Sequence, residues 1–244
     1  MKENYIAVFD SGIGGLHVLE ELSRNMPNEN YIYIGDNENT PYGNLSDFNL
    51  LRLSLKCLNV LSGFNVKALV LGCNTLSVSI RSSLSNYFSF PVFGVFPPVE
   101  RYVVKGERVL LLATPRTIQH FPGYPNLVKV SLPNLAKEIE DNVLNIPSVN
   151  IKKHLTAQYL QKKVFDRVIL GCTHYHYVKN QILDHFCPKF IDSGNHFTVN
   201  FATKFLSNKK SVGKTYRNSI LFLGESAKKN EKIYYEVVKK NYFR

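Results

Sequence analysis

Ala68-Leu69-Val70-Leu71-Gly72-Cys73-Asn74-Thr75 and Arg167-Val168-Ile169-Leu170-Gly171-Cys172-Thr173-His174 are two versions of one octapeptide, 99 positions apart. Each is a short apolar run, closed by Gly-Cys and two polar residues. Short runs without polar alternation are strands buried on both faces, which is the habit of parallel sheets. Working outward from the first copy, Ile6-Ala7-Val8-Phe9, Tyr31-Ile32-Tyr33-Ile34 and Val92-Phe93-Gly94-Val95 read the same way. Between them lie helical stretches: one after Gly12, Gly14 and Gly15 through Leu16 to Leu22, and most of segment 41–66. Around the second copy, Val109-Leu110-Leu111-Leu112-Ala113 and Phe190-Ile191 are strands, with a helix before the latter. Strands alternating with helices imply βαβ crossovers and a parallel sheet covered on both faces.

Internal repetition at about 100 residues indicates a duplicated lobe. The expected fold is therefore α/β, with two pseudo-symmetric lobes, each a parallel sheet sandwiched by helices, and the active site in the cleft between them. The first lobe is placed at 1–98 and the second at 99–210. Residues 211–244, with a strand at Ser219–Leu223 and a helix from Glu225 to Lys240, are expected to return to the first lobe.

The 244 residues carry 44% apolar and 20% charged side chains, ordinary for a globular chain, so disorder and low complexity are excluded. No apolar run reaches the roughly 20 residues that span a bilayer. Met1-Lys2-Glu3-Asn4 leads straight into a strand, without the apolar stretch of a signal peptide. A cytoplasmic protein with four reduced thiols (Cys57, Cys73, Cys172 and Cys187) is expected. The net charge is +11, and +8 of it falls between Thr203 and Arg244. That excess reads as a solvated terminal helix in which Lys228, Lys229, Lys239 and Lys240 act mainly through screened fields.

Ligands of open parallel sheets bind beyond the carboxyl ends of the strands. Asp10, Asp36, Cys73, Thr114 and Cys172 all stand at such ends. With two similar lobes facing each other, a ligand in the cleft meets one thiol on each side. That is the requirement of a two-base racemase, in which one thiolate removes a proton and the opposite thiol returns one. A helix N-terminus is expected to lower a thiol's pKa and to offer backbone N–H groups to carboxylates. A cysteine at a strand end is more often plain core, and Cys57 and Cys187 are read so; the repeated octapeptide sets Cys73 and Cys172 apart.

The chain resembles the glutamate racemase family, within the cofactor-independent aspartate/glutamate racemase superfamily. The resemblance rests on Phe9-Asp10-Ser11-Gly12-Ile13-Gly14-Gly15, Gly35-Asp36 followed by Pro41-Tyr42-Gly43, Gly72-Cys73-Asn74-Thr75, and Gly171-Cys172-Thr173-His174-Tyr175. Thr114-Pro115-Arg116-Thr117-Ile118, Leu132-Pro133 with Glu140 beyond, and Asp192-Ser193-Gly194 match more loosely. The resemblance implies racemisation of glutamate, with D-glutamate supplied for peptidoglycan. It implies that Cys73 works on the D-enantiomer and Cys172 on the L-enantiomer, assisted by Asp10 and His174 respectively, with Glu140 behind the histidine. It also implies that Asp10, Ser11, Pro41, Tyr42, Gly43, Asn74, Thr75, Thr117, Thr173 and His174 hold the substrate. No metal, no cofactor and a homodimer are implied as well. Three features depart from the family pattern: Asn37-Glu38-Asn39-Thr40 where a basic residue usually precedes Pro-Tyr-Gly, a short segment after Thr117, and His176 in place of proline.

Rival readings explain less. Asp10-Ser11 alone could be a helix cap, and Pro41-Tyr42-Gly43 a turn. Cys172, His174, His176, His185 and Cys187 are zinc-ligand types, but their spacing is not a standard one and the Cys73 repeat is left over. Gly12-x-Gly14-Gly15 is not the dinucleotide fingerprint, and Arg81 lies too far beyond Cys73 for a thiol phosphatase loop. A racemase of a related amino acid such as aspartate is the alternative within the class. A basic nucleic-acid-binding protein is the alternative outside it, and it leaves the cysteines unexplained.

Overall fold

Nine strands fall into two separate, wholly parallel sheets in the computed structural model, which describes residues 4–156, 164–207 and 219–241. The first sheet holds β1 (Asn4–Asp10), β2 (Asn30–Gly35), β3 (Asn65–Leu71), β4 (Val92–Gly94) and β9 (Ile220–Leu223). The second holds β5 (Val109–Ala113), β6 (Leu127–Ser131), β7 (Arg167–Gly171) and β8 (Phe190–Asp192). Their orders are β4-β3-β1-β2-β9 and β6-β5-β7-β8.

The apolar runs account for this. Ile6, Ala7, Val8 and Phe9 are fully buried, as are Leu69, Val70 and Leu71 beside them and Leu110 and Leu111 in the other sheet. Each buried Ile, Leu, Val or Phe stabilises the fold by about 1.5–3 kcal/mol. The covering helices are amphipathic. Helix α1 (Leu16–Asn25) buries Leu16, Val18, Leu19 and Leu22, and α2 (Asp47–Leu58) is capped by Ser46 Oγ, which accepts from Asn49 N at 3.4 Å. Helix α3 (Asn74–Tyr87) follows β3 directly, α4 (Val99–Val103) precedes β5, and α7 (Lys179–Phe186) joins β7 to β8.

Topology places the candidate residues. In the first sheet the strand order reverses at β1, flanked by β2 and β3, so the carboxyl ends carrying Asp10 and Cys73 are adjacent. In the second, β5 is flanked by β6 and β7, which sets Thr114 beside Cys172. These reversals are where parallel sheets open a crevice for ligands.

Several elements differ from expectation. Strand β6 was not expected: only Val130 of its five residues is buried, and an edge strand so exposed lacks an apolar run. Between β5 and β6 the only helix is α5 (Pro115–Gln119), five residues long, in keeping with the shortened segment. Helix α8 (Asn195–Ser207) follows the last strand of the second sheet but packs on the first: Thr198 Oγ1 donates to Gly94 O at 2.9 Å, and Phe201 and Phe205 meet Phe93 edge to face. The helix expected over 225–240 is α9 (Ala227–Ile233), continued by a π-helical turn at Tyr234–Val238. Strand β9 pairs with β2, which brings the chain's last elements back to the first sheet. Lys209, Lys210, Lys214, Arg217 and the expected boundary at 210/211 lie outside the described residues. Among those residues, no helix is long and apolar enough to cross a membrane.

Candidate active site

Cys73 leaves the end of β3 in extended conformation and starts α3, the residue 7% exposed. Ser11 Oγ lies 3.7 Å from its sulfur. Asp10 ends β1 beside it, turned inward by hydrogen bonds from Gly12 N to Oδ1 (2.8 Å) and from Thr173 Oγ1 to Oδ2 (3.1 Å). Burial pushes the Cys73 thiol up to about 12, and the Asp10 carboxylate adds to the push; backbone N–H of Leu76 and the Ser11 hydroxyl pull the other way. The expected lowering by the helix terminus is therefore overridden, because desolvation and a neighbouring anion outweigh a partial charge. Burial also raises Asp10, against the charge of His174 and the hydrogen bonds from Gly12 and Thr173.

Cys172 ends β7 and is equally buried, but it opens a 3₁₀ turn (Thr173–Val178) rather than an α-helix. Its sulfur lies 3.9 Å from His174 Nδ1, and His174 Nε2 is 2.9 Å from Glu140 Oε2. Glu140 comes from α6 (Leu135–Asn142), on the face that packs against this turn. Burial opposes charge on His174, yet the Cys172 sulfur and the Glu140 carboxylate hold its pKa well above the ordinary value of 6.5. Burial would raise Glu140, but His174, Lys229 and Asn37 hold it down at about 2. The two thiols thus sit in unlike settings, one against the Asp10 carboxyl group, the other against the His174 imidazole, whose pKa is raised.

The first-lobe glycine loop presses on the second lobe. A Cβ at Gly12 would collide with Glu140 Oε2, and one at Gly14 with Thr173 Oγ1 and His174. The close approach, rather than backbone freedom, requires glycine at both positions. Gly43, in the turn after Pro41, abuts Thr114 in the same manner. Thr75 Oγ1 lies 3.0 Å from Thr114 Oγ1 and 3.3 Å from Thr117 Oγ1, so those three hydroxyls meet across the lobes. Asn74 Nδ2 donates to Val95 O at 3.1 Å, while its Oδ1 is buried without a hydrogen-bond partner. Tyr42 is buried and donates to Asp36 Oδ2 at 2.5 Å, which turns its hydroxyl towards β2. Pro41 is the least buried of the expected substrate set.

No protein-family model matches the chain. A glutamate racemase from Clostridium novyi (strain NT) is 32% identical to it over 189 residues, 72% of this chain and 73% of that protein. The chain belongs to the glutamate racemase family. Among solved structures, a glutamate racemase isoform from Bacillus anthracis is similar with a TM-score of 0.75 and 28% identity, covering 96% of this chain and 94% of that one. Glutamate racemase from Francisella tularensis subsp. tularensis SCHU S4 in complex with D-glutamate is similar with a TM-score of 0.74 and 25% identity, covering 96% and 94%.

Two side chains of this family member were missed in its sequence. Asn37, in the stretch that departs from the family pattern, donates to Glu140 Oε1 at 2.5 Å. Lys229 donates to the same oxygen at 2.8 Å, so it is not the free surface charge expected of the C-terminal segment. Its signal was hidden in Lys228-Lys229-Asn230-Glu231-Lys232, which looks like any solvated helix face. Of the zinc-type residues, His176 pairs with Asn195 Nδ2 at 3.3 Å, and Cys187 is exposed and makes a 3.5 Å contact to Asp184 O. Among the described residues, no group of three or more His, Cys, Asp or Glu side chains could hold a metal ion.

Proposed function

We propose that this glutamate racemase family member interconverts L- and D-glutamate by two thiols acting on opposite faces of Cα, without a cofactor. The supporting observation is the pair of unlike thiol settings at the lobe junction, tied together by the hydrogen bond from Thr173 to Asp10. Cys172, its sulfur 3.9 Å from His174 Nδ1, is the base that meets L-glutamate. Beside Asp10, Cys73 is suited to be a thiol, its pKa near 12. In this reading the resting enzyme accepts L-glutamate. Cys172 takes the Cα proton, the Cys73 thiol gives its proton to the other face, and D-glutamate leaves. The enzyme is left with Cys172 as thiol and Cys73 as thiolate, which is the state that accepts D-glutamate. His174 supports the Cys172 charge and Asp10 the proton traffic at Cys73.

Ser11, Tyr42, Gly43, Asn74, Thr75, Thr117 and Thr173 are proposed to hold the substrate, with Pro41 shaping the turn. The first N–H groups of α3 and of the 3₁₀ turn after Cys172 suit carboxylates. Because both thiols are 7% exposed, substrate entry requires the lobes, divided near residue 98, to part. A homodimer in the cytoplasm that feeds D-glutamate to peptidoglycan synthesis completes the reading. The test is chiral chromatography of L- and D-glutamate and L- and D-aspartate after incubation with the protein, reductant and chelator. Glutamate alone should racemise at a substantial rate. Preference for aspartate, or dependence on added pyridoxal phosphate or metal, would overturn the proposal.

A further inference from the structure

Glu140 accepts hydrogen bonds on both oxygens. Ile13 N (3.0 Å) and His174 Nε2 (2.9 Å) bind Oε2; Asn37 Nδ2 (2.5 Å) and Lys229 Nζ (2.8 Å) bind Oε1. Three of these donors come from segments already placed at the site by motif. Lys229 comes from α9, near the end of the chain. Its side chain is 44% exposed while that of Glu140 is 1% exposed, so the ammonium enters from the rim onto a carboxylate that water does not reach. An ordinary surface pair contributes little because solvent screens it. A cation on a buried carboxylate is screened far less. The neighbouring residue reinforces the placement: buried Asn230 donates from Nδ2 to Asn37 Oδ1 at 2.9 Å, aligning the amide that itself binds Glu140. One turn on, Tyr234 OH donates to Glu20 Oε2 at 2.5 Å and fastens the helix to α1.

We propose that Lys229 is a positioning residue for racemisation: its ammonium holds the Glu140 carboxylate in the orientation that aims His174 at Cys172, so the C-terminal segment completes the Cys172 half of the site. This rests on the reading of Cys172 as the thiol that serves L-glutamate. Lys229 touches neither sulfur, so it acts through Glu140 and His174. The titratable groups that sense Glu140 are His174, Lys229, Asp10 and Tyr33. Removing one cation from this cluster makes each remaining proton bind more tightly, which moves titrations to higher pH.

The experiment compares wild type, Lys229→Met and Lys229→Arg in two measurements. The first is the pH profile of kcat/KM for L-glutamate. Lys229→Met should lose roughly tenfold near neutrality, mainly in kcat, with both limbs of the profile displaced upward by roughly one unit. Lys229→Arg should restore limbs and rate. The second needs no glutamate: the pH at which Cys172 becomes reactive to iodoacetamide, followed by peptide mass spectrometry, should move upward in Lys229→Met and not in Lys229→Arg. A uniform loss with unmoved limbs and an unmoved alkylation profile would reduce Lys229 to a helix-docking contact and overturn the inference. If wild type failed to racemise glutamate while the alkylation shift appeared, the functional reading would fall and the placement of Lys229 would stand.

Discussion

Cys172, His174 and Glu140 form a chain of contacts whose members come from β7's end, the turn after it, and α6. Racemisation removes and returns a proton on opposite faces, so Cys73→Ala and Cys172→Ala should each lower it by several orders of magnitude in a folded protein, and the losses should not add in the double variant. One-sided chemistry separates them. Elimination from a β-substituted L-amino acid needs one base, so it should survive Cys73→Ala, and the D-analogue should survive as a substrate of Cys172→Ala. Cys57→Ala and Cys187→Ala, half-buried and exposed respectively, should change little. An essential Cys57 or Cys187 beside a dispensable Cys73 or Cys172 would contradict the site. Glu140 allows a second residue-scale test. Its carboxyl falls from an ordinary 4.5 to about 2 in the fold, so the stability it contributes is present above about 4.5 and is lost as pH falls towards 2. His174 is shifted upward, so its share is present below about 6.5 and is lost as pH rises through the folded value. The gap in unfolding free energy between wild type and Glu140→Gln should be widest between pH 4.5 and 6.5, on the order of 3 kcal/mol, and close towards pH 2. A gap independent of pH would mean that Glu140 is not paired as a charge.

At the scale of elements, the strands that carry the thiols were legible because a doubly covered parallel strand is an unbroken apolar run. Val168, Ile169 and Leu170 are buried as that pattern requires. Strand β6 was not legible, because Leu127, Val128 and Lys129 are only half-buried and alternate with nothing. The partner of His174 was equally faint: Glu140 lies 34 positions away, and only the packing of α6 on the turn joins them. The loop at residues 11–15 gives the element-scale prediction. Gly14→Ala puts a methyl where Thr173 Oγ1 and the His174 backbone stand, so the loop must withdraw and widen the gap between the sulfurs. Displacements near 1 Å cost on the order of 100-fold in rate. Gly14→Ala should therefore lose at least that much in kcat while Gly63→Ala, with open space around it, should lose none. Equal activity of the two variants would show that the loop does not set the separation of the lobes.

On the scale of the whole molecule, the two sheets each offer one thiol from the same place in their topology, β3 beside β1 and β7 beside β5. That equivalence was visible in the octapeptide repeat; the asymmetry laid over it was visible only through the family resemblance, not in the repeat itself. Asp10 beside one sulfur and His174, held by Glu140, beside the other arise from contacts inside each lobe, and side chains brought together by packing have no period in the sequence. Two-thiol racemisation requires that two groups, not one, handle the proton at Cα. L-Glutamate incubated with the protein in D₂O, without cofactor and stopped early, tests it by mass spectrometry of the separated enantiomers. A thiol equilibrated with solvent must supply the new hydrogen, so D-glutamate should carry one deuterium at Cα from the first turnover, while the remaining L-glutamate stays largely protiated. D-Glutamate that retained the original protium would mean a single base returning its own proton, and would contradict the two-thiol account.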